Sequence, residues 1–221
     1  GENMVWADKY GDIGWQAVGI APIRKTHSGM VPVRGDGSNK REAYLPIIEK
    51  PNLFNPEIGY ISTANQNVTP GDYNKWEAIG FDWADPYRGN RINRVLESKE
   101  KFNLKEMLRL QVDYYSIPSE QIINLSSGLI SNNIEYFTML EKWDKKLSKS
   151  SIEAGIYIEW QNQLFLEVTK KFIPQKVNKY IDMQLFKVIE KISEMNINEK
   201  KELLNRTFNS SVDNLKEKFG E

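Results

Sequence analysis

The 221 residues include no cysteine and one histidine, His27. Disulfides, thiol nucleophiles and cysteine–metal sites are therefore excluded, and a multi-histidine metal centre cannot be built. Neither charge is in surplus, because Lys plus Arg and Asp plus Glu stand at 30 each. A nucleic-acid partner calls for a basic excess, so that class is set aside. No apolar run approaches the roughly 20 residues that cross a bilayer, which sets aside a helical membrane span. What remains, at 40% apolar and 27% charged residues, is ordinary globular composition.

Proline is scarce in one part of the chain. After residue 90 only Pro118 and Pro174 occur, whereas residues 1–90 are rich in Gly, Pro, aromatics and turn pairs. The boundary predicts a strand-rich part over 1–90 and a mainly helical part over 91–221. In the first part, Met4-Val5-Trp6-Ala7 and Ile13-Gly14-Trp15-Gln16-Ala17-Val18 flank a Gly-containing loop and predict a hairpin. Leu45 to Ile48 and Ile58 to Thr63 are shorter strand candidates. In the second part, Asn103 with Glu106 three residues later marks a capping box before Leu104. Pro118 and Ser119 open another helical run, and Ser150 to Phe172 is expected to be the longest, ended by Pro174. Ile181 to Ile192 and Leu203 to Phe219 continue the spacing. These apolar stripes are expected to face a core.

Two blocks carry the chemistry. Gly59-Tyr60-Ile61-Ser62-Thr63-Ala64-Asn65-Gln66-Asn67 places two side-chain amides after a strand-like run. Trp83-Ala84-Asp85-Pro86-Tyr87-Arg88-Gly89-Asn90-Arg91-Ile92 then puts a guanidinium at the mouth of a helix-like run. On residue type alone Asn65 reads as a turn residue, because Asn and the nearby Thr-Pro pair favour turns. Arg88 has a plain reading too, a helix-start salt bridge with Asp82 or Asp85. Arg91 reads as structural and His27 as a loop residue. The Gly35-Asp36-Gly37 loop lacks a phosphate-binding fingerprint. Trp6, Trp15, Trp76 and Trp83 read mostly as core or strand anchors.

The two blocks resemble the Thr-Ala-Asn-Asn and Tyr-Arg-x-x-Arg-Ile segments of the penicillin amidase (penicillin acylase) family. Other pieces follow in the family's order: Asn3-x-Val5-x-Ala7-Asp8, Gly11-Asp12-Ile13-Gly14-Trp15, Pro22-Ile23-Arg24, Leu45-Pro46, Asn55-Pro56-x-x-Gly59, Trp143-Asp144 and Ser151-x-Glu153-Ala154. Departures occur as well. Gln66 stands at the second Asn position, no Trp precedes Leu45-Pro46, and the Ser that begins the family's catalytic chain is absent, Gly1 offering no nucleophile.

The resemblance implies an N-terminal-nucleophile hydrolase that cleaves amide bonds. Its fold class is α+β, part of an αββα sandwich. Asn65 would be an oxyanion-hole donor, and Arg88 would give electrostatic support near the nucleophile. Glu77 falls where some members place a calcium-binding carboxylate, a structural calcium rather than a required cofactor; the plain reading is an exposed Glu. The implied partners are a small chain, the N-terminal part of the large chain and a small N-acyl substrate. The implied location is extracytoplasmic. The chain is thus expected to be an internal piece of such an enzyme and inactive alone. The alternative is a non-catalytic binding or structural module that keeps the scaffold.

Overall fold

Alternating β-prone residues on either side of an Asp-Gly loop give the first hairpin. The computed structural model describes residues 2–41, 43–181 and 183–220, apart from the side chain of Glu77. It divides into two units, Gly1–Glu100 and Lys101–Glu221.

In the first unit β1 (Glu2–Ala7) pairs antiparallel with β2 (Ile13–Val18), and β2 with β3 (Asn52–Phe54). Asp8 Oδ1 closes the hairpin loop by accepting the backbone N–H groups of Tyr10 at 2.8 Å and Asp12 at 3.0 Å. The register sets Trp6 opposite Gly14. A Cβ on Gly14 would lie 2.4 Å from the Trp6 indole, so the missing side chain lets the ring lie across the sheet. Trp15 is buried, and its indole N–H donates to Asn3 Oδ1 at 2.8 Å. β1 itself is exposed along its whole length.

Neither of the shorter strand candidates is a strand. Leu45 donates to the Ala21 carbonyl at 2.8 Å and Tyr44 makes an isolated bridge to Pro22, but Pro46 then opens a 3-10 turn over Ile47–Glu49. Proline fixes φ and has no N–H to extend a ladder. Ile58 to Thr63 has no strand partner among the described residues; its Tyr60 and Ser62 side chains are engaged by a helix instead. A short helix, α1 (Trp76–Ile79), and a longer one, α2 (Tyr87–Leu96), complete the unit. Ala21, Leu45 and Ala78 form a small core under Ile23 and Ile79.

The second unit is helical: α3 (Leu104–Gln111), α4 (Ile117–Ser126), α5 (Ile134–Lys142), α6 (Ile152–Phe172), α7 (Leu185–Glu194) and α8 (Ile197–Phe219). The capping box is present: Asn103 Oδ1 accepts from Glu106 N, and Glu106 Oε2 from Asn103 N. α6 spans 21 residues and α8 spans 23, so among the described residues α8 is the longest, contrary to expectation. The core is built where α6 meets α8. Trp160, Phe137 and Phe208 pack edge to face, with centroids 4.9 to 6.0 Å apart, the geometry favoured by aromatic quadrupoles. The Trp160 indole N–H donates to Thr207 Oγ1 at 3.0 Å. One stripe departs from expectation: Leu104, Met107 and Leu108 of α3, and Val112 just after it, face solvent.

Candidate active site

The site grows from the start of α2. Pro86 precedes the first helical residue, where a missing N–H costs nothing. Asp85 Oδ1 accepts the Tyr87 backbone N–H at 3.1 Å. Burial, followed by the Asp85 charge, pushes the Tyr87 phenol well above its usual range. The first turn thus fixes the position of Arg88.

The segment 60–66 lies along this helix in the opposite direction. The Tyr60 hydroxyl donates to Glu97 Oε1 at 3.0 Å, and the Ser62 hydroxyl to Asn93 Oδ1 at 2.5 Å. Burial and the Glu97 carboxylate raise the Tyr60 pKa. One turn nearer the N-terminus of α2, the side chain of Gln66 lies flat on Gly89; a Cβ there would meet it at 2.4 Å. Gln66 is buried, at 8% exposure. Its Oε1 accepts the Ala64 N–H at 2.6 Å, and its Nε2 reaches back to the Ser62 carbonyl at 3.4 Å.

This clamp bends the chain. Asn65 takes φ 67°, in the left-handed region that Asn tolerates better than most residues. Its carbonyl accepts from Ala84 N at 3.0 Å, tying the turn to the segment before α2. The backbone is therefore not extended at this position. Asn65 and Gln66 still diverge, one exposed and one buried.

Arg88 Nη2 donates to Asn65 Oδ1 at 2.7 Å. A guanidinium has donors only, so the atom it meets must be the amide oxygen. Asn65 and Arg88 both line an open cleft of about 510 Å³. Thr63, Asn65, Arg88 and Ile92 line it, with Glu2 and Asn3 of β1. An Asn amide fixed by its oxygen is a neutral donor set in advance, which is what a developing oxyanion requires. The guanidinium beside it adds positive charge and, by drawing on Oδ1, strengthens the N–H donors.

Asn65 and Arg88, read from separate blocks, are thus together. Glu77 falls in α1, and its side chain lies outside the described residues. No three acidic or histidine side chains converge as metal ligands among the described residues. His27 is half-buried, and its Nδ1 is enclosed without a partner among the described residues. Trp76 packs edge to face on Trp83, with centroids 5.7 Å apart, and stacks on Phe81. Sequence reasoning missed Tyr60, Ser62, Gly89, Asn93 and Glu97. A signal was present: a step of two from 60 to 62 faces a step of four from 97 to 93, and polar residues stand at all four positions.

The family model described as Penicillin amidase matches residues 1–221. The chain is 30% identical over 189 residues to the acyl-homoserine lactone acylase QuiP of Pseudomonas fluorescens (strain Pf0-1), covering 77% of this chain and 22% of that relative. It is 36% identical over 101 residues to the penicillin G acylase of Escherichia coli, covering 45% of this chain and 12% of that enzyme. Among solved structures, the thermostable penicillin G acylase from Alcaligenes faecalis superposes with a TM-score of 0.76 at 17% identity, over 99% of this chain and 47% of that one. The chain therefore spans about a fifth of the length of the curated acyl-homoserine lactone acylase it matches.

Proposed function

The chain belongs to the penicillin amidase family, and from that membership we propose that it supplies the oxyanion-stabilising part of a hydrolase of N-acyl compounds. The observation that carries this reading is the Arg88–Asn65 contact in the lining of an open cleft, which engages the amide oxygen and so keeps the amide N–H groups as the donors of that side chain. The bond to be cleaved is the amide between an acyl group and an amine. An N-terminal Ser, contributed by a segment outside these 221 residues, attacks the acyl carbonyl. Its own α-amine serves as the base, as in other N-terminal nucleophiles. Negative charge collects on the carbonyl oxygen, Asn65 Nδ2 donates to it, and Arg88 lowers the local potential. Collapse breaks the C–N bond as the α-ammonium returns the Ser proton to the leaving amine, and the acyl-enzyme that remains is hydrolysed by water on the same donors.

Two facts support the division of labour. The chain covers about a fifth of an acylase that it resembles, and another relative is named as a proenzyme, penicillin acylase 2 of Pseudomonas sp. (strain SE83). The exposed strand β1 would then be covered by the rest of the enzyme, and the 221 residues alone would show no turnover. The relatives' names frame the substrate class, acyl-homoserine lactones or penicillins. No residue here is assigned to calcium.

The test is Asn65→Ala in the processed, catalytically competent protein, assayed on a chromogenic acyl anilide. Loss of one oxyanion donor should lower kcat by about 10²–10³-fold with little change in KM. A kcat equal to that of the unmodified protein would overturn the reading.

A further inference from the structure

We infer that α2 sets the oxyanion turn in place through side chains one helical turn apart, and that Gly89, Gln66 and Asn93 are positioning residues for Asn65. The inference rests on the reading of Asn65 as the oxyanion donor.

The geometry is that of a register. A helix repeats its face every three to four residues, at about 5.4 Å per turn, while an extended segment repeats a face every two, at about 6.6 Å. Two residues of the segment therefore match one turn of the helix. The pairs follow this match, Tyr60 with Glu97 and Ser62 with Asn93. The next turn of the helix, from Asn93 to Gly89, is matched by four residues of the segment, Ser62 to Gln66, because the chain reverses at Asn65 before Gln66 meets Gly89. Slippage by one residue would turn the even-numbered side chains away from the helix.

The last contact converts register into conformation. Because Gly89 has no Cβ, the Gln66 amide reaches the helix backbone and is buried there. From that position its Oε1 takes the N–H of Ala64 and its Nε2 the carbonyl of Ser62. Both bonds tie Gln66 to residues before Asn65, so the chain must fold back between them. Asn65 is the residue that absorbs the reversal, at φ 67°. Arg88, next to Gly89 on the helix, then meets the Asn65 oxygen. Without the Gln66 contacts, the conformation at Asn65 would rest on Arg88, a long and exposed side chain, and on the Ala84 N–H that bonds the Asn65 carbonyl.

The prediction is a non-additive cycle in the processed, active protein. Gly89→Ala forces a methyl group into Gln66 and should lower kcat by up to about 10²-fold, as expected when a reacting group is displaced by an ångström. Gln66→Ala should also lower kcat, by releasing the fold-back. In the Gln66→Ala background, Gly89→Ala should cost nothing more, because the group it strikes is gone. Asn93→Leu should lower kcat, and Asn93→Asp, which keeps an acceptor for Ser62, should restore it. The NMR backbone shifts of Asn65, labelled selectively, should leave the left-handed range in Gly89→Ala and keep it in Asn93→Asp. Melting curves identify any variant that fails to fold, in which case the Gln66→Ala and Asn93 arms decide. Equal costs of Gly89→Ala in both backgrounds, or unchanged Asn65 shifts, would overturn the inference. If Asn65→Ala itself leaves kcat unaltered, the functional reading fails, and the shifts still decide whether α2 sets the turn.

Discussion

In the helical unit Trp160, Tyr157, Phe208 and Leu204 are completely buried, whereas in the N-terminal unit Met4, Val5 and Trp6 are all exposed although their strand is paired. The helical unit is held by apolar burial along α6 and α8, a contribution that grows with area and has little directionality. The unit that carries Asn65 is held by placed polar contacts: Asp8 in the hairpin loop, Asn55 Oδ1 accepting the Ile13 N–H at 2.9 Å, and the row of side chains on α2. Directional contacts fix a turn to a fraction of an ångström but bury little surface. The difference shows which region can stand on its own packing. Under the proposed function, the apolar surface left open on β1 is the face that the rest of the enzyme would cover.

Hydrogen exchange should show the widest contrast. Amides in the middle of α6 and α8 should exchange only through global opening, and those of β1 not paired with β2 through local fraying near zero cost. The two limits differ by about 5–15 kcal/mol for ordinary domains. Exchange followed by mass spectrometry should find peptides 156–168 and 203–212 the slowest. If peptide 2–7 were equally slow, the contrast between the units would be broken.

Phe208→Ala comes next in size. The ring is fully buried and touches both Trp160 and Phe137. Truncation leaves a cavity that rigid helices cannot close and should cost about 3–5 kcal/mol. Chemical denaturation monitored by helical circular dichroism checks this. A loss below about 1 kcal/mol would mean that the aromatic cluster is not what holds α6 to α8.

The two regions were not equally legible in the sequence. Helical spacing names Ile152, Ile156, Trp160, Leu164, Phe165, Val168 and Phe172; Ile156, Trp160, Leu164 and Val168 are buried as a stripe, Phe165 is half-buried, and Ile152 and Phe172 at the helix ends are exposed. Burial follows from periodicity because one face of a helix must be covered. α3 shows the limit: Leu104 and Leu108 keep the spacing but stay exposed, since a pattern states which face is apolar and not what covers it. In the N-terminal unit the α+β character and the hairpin could be read. Ile58 to Thr63 could not, because β-prone residues give the same signal whether their partner is a strand or a helix face. Asn65 and Arg88 were found as separate positions through family pattern. Their direct contact depends on a reversal at Asn65 that arises from Gln66 and Gly89, residues distant in sequence whose fit has no compositional mark.

A smaller effect should follow from Asn103→Ala. The side chain accepts the Glu106 N–H at 3.1 Å, and Glu106 returns the bond at 2.9 Å. Since α3 has no buried residue, its stability depends on its ends more than that of α6 or α8. Loss of the cap should cost about 1 kcal/mol, seen as faster exchange confined to residues 104–111. An unchanged exchange profile there would show that α3 is held by contacts other than its cap.

The smallest effect concerns acid. Glu167 on α6 accepts from Arg206 of α8 and from Lys170 Nζ at 3.0 Å, and these bonds, the Arg206 one first, hold its pKa below the usual 4.5. Glu159 is lowered likewise by Asn214 of α8 and then by Gln163, each at 3.0 Å. Both carboxylates are bound more tightly when ionised and folded. Their contribution is complete above 4.5 and is lost as pH falls through the lowered folded values. Partial exposure keeps the Glu167–Arg206 pair to about 0.2–1 kcal/mol. Glu167→Gln cannot ionise, so its melting temperature should fall less than that of the unmodified chain between neutral pH and the acid side of 4.5. If both fall alike, the Glu167–Arg206 bridge contributes nothing to joining α6 and α8.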